Sequence, residues 1–124
     1  MINDYSPLKL AYIGDAVFEL MVRDMVVREN GAGLNALNKQ AVSYVRAGSQ
    51  ARIYHRILPF LSEEEAGILR RGRNAKPGVS AKNATVADYR HATGLEALFG
   101  YLYLEKRDGR LAELFELCVG TEDK

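Results

Sequence analysis

One cysteine, three prolines and no alternating run of β-branched residues mark what this 124-residue chain has little of. The lone Cys118 excludes an internal disulfide and any zinc site built on several cysteines; it reads as a small hydrophobe packed in a helix. Scarce proline and missing period-two patterning argue against a β architecture. The apolar stretch from Leu8 to Val27 is interrupted by Lys9, Asp15, Glu19, Arg23 and Asp24, so it is not a membrane span. The opening Met-Ile-Asn-Asp-Tyr lacks the basic start and apolar run of a secretion signal, which makes the cytoplasm the expected location. No Walker loop, dinucleotide fingerprint or serine-nucleophile motif is present.

The periodicity that remains is helical nearly throughout, in a chain expected to form one domain over residues 1–124. The first helix starts at Ser6-Pro7 and continues through Val27. Asn30 to Gly33 reads as a turn. Leu34 to Val45 forms a second helix, with Leu34, Leu37, Ala41, Val42 and Val45 on one side. A third runs from about Ser49 to Leu58 and stops before Pro59. Ser62 and Glu65 have capping-box spacing and open a fourth, which ends near Arg73. Thr85 with Asp88 caps the next helix, which reaches Leu104. Asp108-Gly109 marks a turn before a last helix from Arg110 to Val119. The expectation is an all-α bundle of about six helices.

Two acids stand out against this pattern. Asp15, in Tyr-Ile-Gly-Asp-Ala-Val-Phe-Glu, shares a helical face with Leu8, Ala11, Phe18, Val22 and Val26, and is expected to be buried. Glu96 lies in the nearly continuous apolar run Leu95 to Leu104. A carboxylate on an apolar face costs several kcal/mol unless a cation, hydrogen bond or metal satisfies it. Two such groups meeting across a helix pair suit magnesium, which prefers oxygen ligands and keeps several waters. A buried ion pair, such as Asp15 with Arg90, is the alternative. Glu19, one turn after Asp15, either extends an acidic site or pairs with Arg23. Gly14 and Gly100 interrupt otherwise good helices, so the two helices are expected to cross near them and bring the acids together.

Net charge is +1, but its distribution is uneven. Between Arg70 and His91 stand six basic residues (Arg70, Arg71, Arg73, Lys76, Lys82, Arg90) against one acid, Asp88, a local charge of about +5. The irregular segment containing Arg73, Asn74, Lys76, Lys82 and Asn83 mixes cations with amides, which suits phosphate and sugar contacts. A solvated loop without a ligand is the alternative. Tyr12, Tyr89, Tyr101 and Tyr103 are expected to pack with their hydroxyls at the rim. His55 and His91 lie far apart without metal-ligand spacing; His91 is a candidate phosphate contact and His55 a surface residue.

Tyr12-Ile-Gly-Asp-Ala-Val-Phe-Glu19 resembles the signature helix of the ribonuclease III family, and Glu96-Ala-Leu-Phe-Gly-Tyr-Leu-Tyr-Leu104 its second acidic helix. The segments Arg71 to Lys76, Ala81 to Ala84 and Tyr89-Arg90 are similar to the short bacterial branch, mini-ribonuclease III, which consists of the catalytic domain alone. The resemblance covers about Pro7 to Val119. It implies a homodimeric endonuclease domain without a double-stranded-RNA-binding domain. It also implies hydrolysis of double-stranded RNA with Mg2+ (Mn2+ as substitute), leaving 5′-phosphate and 3′-hydroxyl ends. The implied substrate is large-subunit ribosomal RNA precursor, with a ribosomal protein as a candidate partner. Asp15 and Glu96 match the family's metal-binding acids, and Arg90 joins the RNA-binding set. The long family has two further acids, where this chain has Ala11 and Thr93; Thr93 and Glu19 are the auxiliary candidates. Loss of those two acids leaves two other readings open: an inactive binder of structured RNA, and a helical interaction module.

Overall fold

The computed structural model describes residues 4–29, 31, 33–75 and 85–120. Among these there are six α-helices and no strand: α1 (Pro7–Glu29), α2 (Leu34–Val45), α3 (Ala47–Ile57), α4 (Glu63–Asn74), α5 (Val86–Leu104) and α6 (Asp108–Val119). The expected all-α bundle is what the chain forms. Residues 30 and 32 of the expected turn, and residues 76–84 of the basic segment, lie outside the described residues.

Local signals set most helix ends. The Ser6 hydroxyl accepts from the Lys9 amide at 3.2 Å and opens α1. Ser62 and Glu65 form the reciprocal capping box at the start of α4, and Thr85 accepts from the Asp88 amide at the start of α5. Two boundaries differ from the sequence expectation. α3 is followed by a 3-10 turn, Leu58–Phe60, that accommodates Pro59 in its first positions instead of stopping before it. α6 begins at Asp108, because the chain reverses earlier: Lys106 takes a left-handed φ of 59° and the Arg107 amide donates back to the Leu102 carbonyl.

α5 is the central helix. It packs against α1, α3, α4 and α6, and from Ala92 to Leu102 every residue but Glu96 is buried. Two glycine crossings let neighbours approach it. A Cβ on Gly14 of α1 would collide with the Glu96 carbonyl oxygen and lie 2.7 Å from the Gly100 nitrogen, so the expected α1–α5 crossing is real and tight. A Cβ on Gly72 of α4 would lie 2.8 Å from the Gly94 Cα, a second crossing that the sequence reading missed. Phe18 stacks edge-on against Phe99 and Phe115, with centroids 5.2 and 6.0 Å away, filling the space beside the first crossing.

α4 and α6 are tied by a buried ion pair. Glu65 is buried and receives two hydrogen bonds from Arg110, at 2.8 and 2.7 Å. The Arg110 guanidinium holds the Glu65 carboxyl below the usual range. Cys118 is buried as expected, and burial pushes its thiol up to about 12, so it is a packing residue.

Several faces differ from the sequence reading. Leu34 and Val42 are exposed, although Ala41 beside them is buried. Tyr101 is buried with its hydroxyl donating to Glu64, but Tyr103 is largely exposed and Tyr12 is 86% exposed. Leu8, Tyr12, Leu20 and Val27 are exposed apolar residues of α1, spread on either side of the Glu19–Arg23 ion pair.

Candidate metal and catalytic site

The site grows out of the Gly14 crossing. Gly14 rests on the backbone of Glu96, so the next residue, Asp15, reaches the Glu96 side chain across the same contact. The Asp15 carboxylate is near enough to raise the Glu96 carboxyl both by its charge and by hydrogen bonding to the protonated form. Asp15 is exposed and Glu96 half-buried, which corrects the expectation that Asp15 sits within the apolar face. The buried positions of α1 are Leu10, Ala11 and Gly14, then Phe18, Val22 and Val26. Steps of four drift about 40° each around a helix. Asp15 and Leu8 align with the later part of that stripe, but at their own level on the helix they fall at its edge.

Burial and the Asp15 carboxylate, with a smaller contribution from Glu19, push the Glu96 carboxyl up to about 8. Without a cation, Glu96 is therefore protonated at neutral pH and holds its proton against Asp15. Gln50, from α3, is the group that lowers the Glu96 carboxyl and favours its charged form. Gln50 is 2% exposed. The sequence reading missed it, and looked to Arg90 as the alternative partner; the neighbour of the acids is instead a neutral amide. Arg90 itself is exposed.

Glu19 takes the structural role offered for it, accepting from Arg23 at 2.6 Å on the exposed face, while still adding negative charge near Glu96. Thr93 and Ala11 are both buried. The Thr93 hydroxyl donates to the Tyr89 carbonyl of its own helix at 3.0 Å, so its proton is already committed. Asp88 faces Gly48 on α3. Among the described residues, no group of three or more His, Cys, Asp or Glu is arranged around a common point.

The donor set fits a hard divalent cation. It consists of oxygen atoms alone, from two carboxyl groups near enough that Asp15 raises Glu96. Magnesium is commonly held by one or two carboxylates, with waters and substrate phosphates completing its shell. Asp15 and Glu96 would hold such a cation, and its charge would offset the repulsion that raises Glu96.

The described part of the basic region, at the end of α4, packs on the side of α5 about 160° around the helix from Glu96. Gly94, within one turn of Glu96, abuts the end of α4; a Cβ there would lie 3.2 Å from the Arg73 nitrogen. Arg73 is half-buried and donates to the Asn74 side chain at 3.1 Å, and Asn74 is exposed. Lys76, Lys82 and Asn83 lie outside the described residues. His55 and His91 are not separate, as their sequence distance suggested. Their rings are 4.7 Å apart, both against Tyr54, and His91 Nδ1 is 2.7 Å from the Ala87 carbonyl oxygen.

Comparison with known proteins agrees with this geometry. The family profile described as Ribonuclease III domain matches residues 8–107. The chain is 43% identical to the mini-ribonuclease 3 of Clostridium tetani over 124 residues, covering 99% of this chain and 82% of that protein. It is 49% identical to the mini-ribonuclease 3 of a Thermoanaerobacter species over 114 residues, covering 92% and 80%. A crystal structure of a protein from Fusobacterium nucleatum superposes with a TM-score of 0.86 at 36% identity, covering 95% of this chain and 94% of that one.

Proposed function

Because this chain belongs to the ribonuclease III domain family, and to its mini-ribonuclease 3 branch, we propose that it is a metal-dependent endoribonuclease of double-stranded RNA, with Asp15 and Glu96 as its metal ligands. The observation that carries this reading is the contact between those two carboxyl groups, with Glu96 pushed up to about 8. A pair so arranged is poorly matched to a metal-free role, since it keeps two acids in repulsion at the tightest helix crossing in the core.

The family is divalent-metal dependent, and Mg2+ fits the oxygen-only donors here, with Mn2+ as a substitute. When bound, the cation supplies charge neutralisation at the scissile phosphodiester and an activated water. The chain's own residues do the rest. Asp15 and Glu96 fix the position of the cation at the α1–α5 crossing. Arg73 and Asn74, with Lys76, Lys82, Asn83 and Arg90, hold the duplex by phosphate and 2′-hydroxyl contacts across its shallow minor groove. No protein nucleophile takes part, and the products carry 5′-phosphate and 3′-hydroxyl ends.

The family is dimeric, and the exposed apolar residues Leu8, Tyr12, Leu20 and Val27 of α1 suit contact with a second copy of this chain. Two protomers would then present two cation sites, one for each strand. No helix among the described residues is long and apolar enough to cross a membrane. The substrate proposed is a large-subunit ribosomal RNA precursor in the cytoplasm, with a ribosomal protein as candidate partner. Buried Ala11 and Thr93, in place of two further family acids, favour the alternative of an inactive RNA binder; the retained pair of acids speaks against it.

The test is incubation of the protein with an end-labelled RNA duplex, with Mg2+ and with EDTA. Cleavage in Mg2+ alone supports the nuclease. Retention of the duplex without cleavage, in either Mg2+ or Mn2+, supports the inactive binder.

A further inference from the structure

Outside the stretch from Arg70 to His91, most arginines of this chain have a partner that uses their charge. Arg23, Arg28, Arg107 and Arg110 are each matched to a carboxylate, and Arg56 donates to the Cys118 carbonyl at 2.6 Å. Among the described residues Arg46 and Arg52 form no ion pair. They converge instead on one neutral oxygen: Arg46 Nε donates to the Ser49 hydroxyl at 3.2 Å, and Arg52 Nη2 donates to the same atom at 3.3 Å. Ser49 is 5% exposed, whereas Arg46 is half-buried and Arg52 exposed. Charge-assisted hydrogen bonds usually span about 2.7–2.9 Å. A buried hydroxyl therefore gathers two like charges on α3 by long contacts and supplies no counter-charge.

The pair borders the start of α5, where the basic stretch ends. Gly48 lies between the two arginines in sequence, and a Cβ there would lie 3.7 Å from Asp88 Oδ2. Gly48 and Arg52, four residues apart, share a face of α3. His55, one turn beyond Arg52, meets His91 of α5 at 4.7 Å between rings. Asp88 repels an anion placed over Gly48, which leaves the Arg46–Arg52 side for one.

We infer that Arg46 and Arg52 together bind a backbone phosphate of the RNA duplex, as an arm of the RNA interface on α3 distinct from the segment of Lys76 and Lys82. The inference rests on the proposed reading of the chain as a nuclease of double-stranded RNA. A phosphodiester offers acceptors to both guanidiniums at once and replaces contacts to a neutral hydroxyl by charge-assisted ones. Ser49 holds the two side chains near one point, which lowers the ordering cost of binding. Asp88 and Glu96 are eight residues apart on α5, so this arm stands about 12 Å along that helix from the acids. It holds the duplex and takes no part in the chemistry.

The experiment measures retention of a labelled RNA duplex across a salt series in Ca2+, with KM and kcat for cleavage in Mg2+. It compares the unaltered chain with Arg46→Gln plus Arg52→Gln, with Arg46→Lys plus Arg52→Lys, and with Arg28→Gln, which removes a cation already paired with Asp24. Arg52→Gln alone serves if the double glutamine variant fails to fold. The expected result for the glutamine variant is a salt slope smaller by about 1 and affinity weaker by about 10-fold, with KM raised and kcat unchanged. The lysine variant keeps the slope and loses part of the affinity, because ammonium groups lack the planar fork. Arg28→Gln changes neither. Unchanged slope and affinity in the folded glutamine variant, or an equal loss in Arg28→Gln, overturns the role of the pair while cleavage by the unaltered chain keeps the nuclease reading. An unaltered chain that neither retains nor cleaves the duplex overturns that reading and this inference with it.

Discussion

Gly14 lies directly on the backbone carbonyl of Glu96, leaving no volume for a side chain between α1 and α5. That single contact explains why two acids far apart in the chain act on each other, Asp15 raising the Glu96 carboxyl. It also predicts the effect of one added methyl group. Gly14→Ala must push α1 away from α5, against an overpacking cost of about 3 kcal/mol. Denaturant unfolding of the metal-free protein measures the loss. Any variant that stays folded should also cleave poorly, because the acids separate.

The raised carboxyl of Glu96 sets a pH dependence. Its pKa is about 8 in the folded chain against an ordinary 4.5, so the folded state holds a proton that the unfolded state has released between those values. Metal-free stability should therefore fall as pH rises from about 4.5 to about 8. Glu96→Gln should flatten that slope. Mn2+ affinity should move the other way and strengthen up to about pH 8, because the cation must displace the proton. Thermal melts and calorimetric titrations at three or four pH values test both directions.

Arg110 offers a structural control remote from the acids. Its removal leaves the buried Glu65 carboxylate without its principal partner. Arg110→Ala should destabilise the fold by about 3 kcal/mol. Because Glu65 is held below its usual range, this contribution is present at neutral pH and is lost as pH falls through the lowered value. The variant should bind Mn2+ with unchanged affinity at a temperature where it remains folded.

The basic region should govern RNA affinity without governing the metal. Replacing Lys76 and Lys82 together with Glu should weaken duplex binding and reduce the slope of log affinity against log salt, by roughly 1 for each phosphate contact removed. Mn2+ affinity of the RNA-free protein should not change. Filter binding across a salt series reads the first effect and calorimetry the second.

What the sequence made legible was local or periodic. The Ser62–Glu65 box and the Thr85 cap are written within four residues each, and the structure forms both. The interior glycines Gly14 and Gly100 announced a close crossing because no helix retains them for propensity. What stayed hidden depended on tertiary placement. Asp15 aligned with the apolar stripe, but the stripe drifts around α1 and leaves it exposed. Gln50 gave no signal, since a glutamine in a helix usually faces water. Gly72 sat where a helix end was expected, so its crossing with Gly94 was not anticipated. His55 and His91 meet only because α3 packs on α5. Lys106 adopts the left-handed turn usually given to glycine, so the reversal was placed at Asp108-Gly109.

The central claim is that Asp15 and Glu96 together hold the cation that cleaves the duplex. The most direct measurement is single-turnover cleavage of a labelled duplex in Mg2+ by the unaltered chain and by Glu96→Gln, with binding of both measured in Ca2+. The account predicts equal binding and loss of cleavage in the variant by at least two orders of magnitude, about 3 kcal/mol in the barrier. Cleavage by Glu96→Gln at the unaltered rate would contradict it.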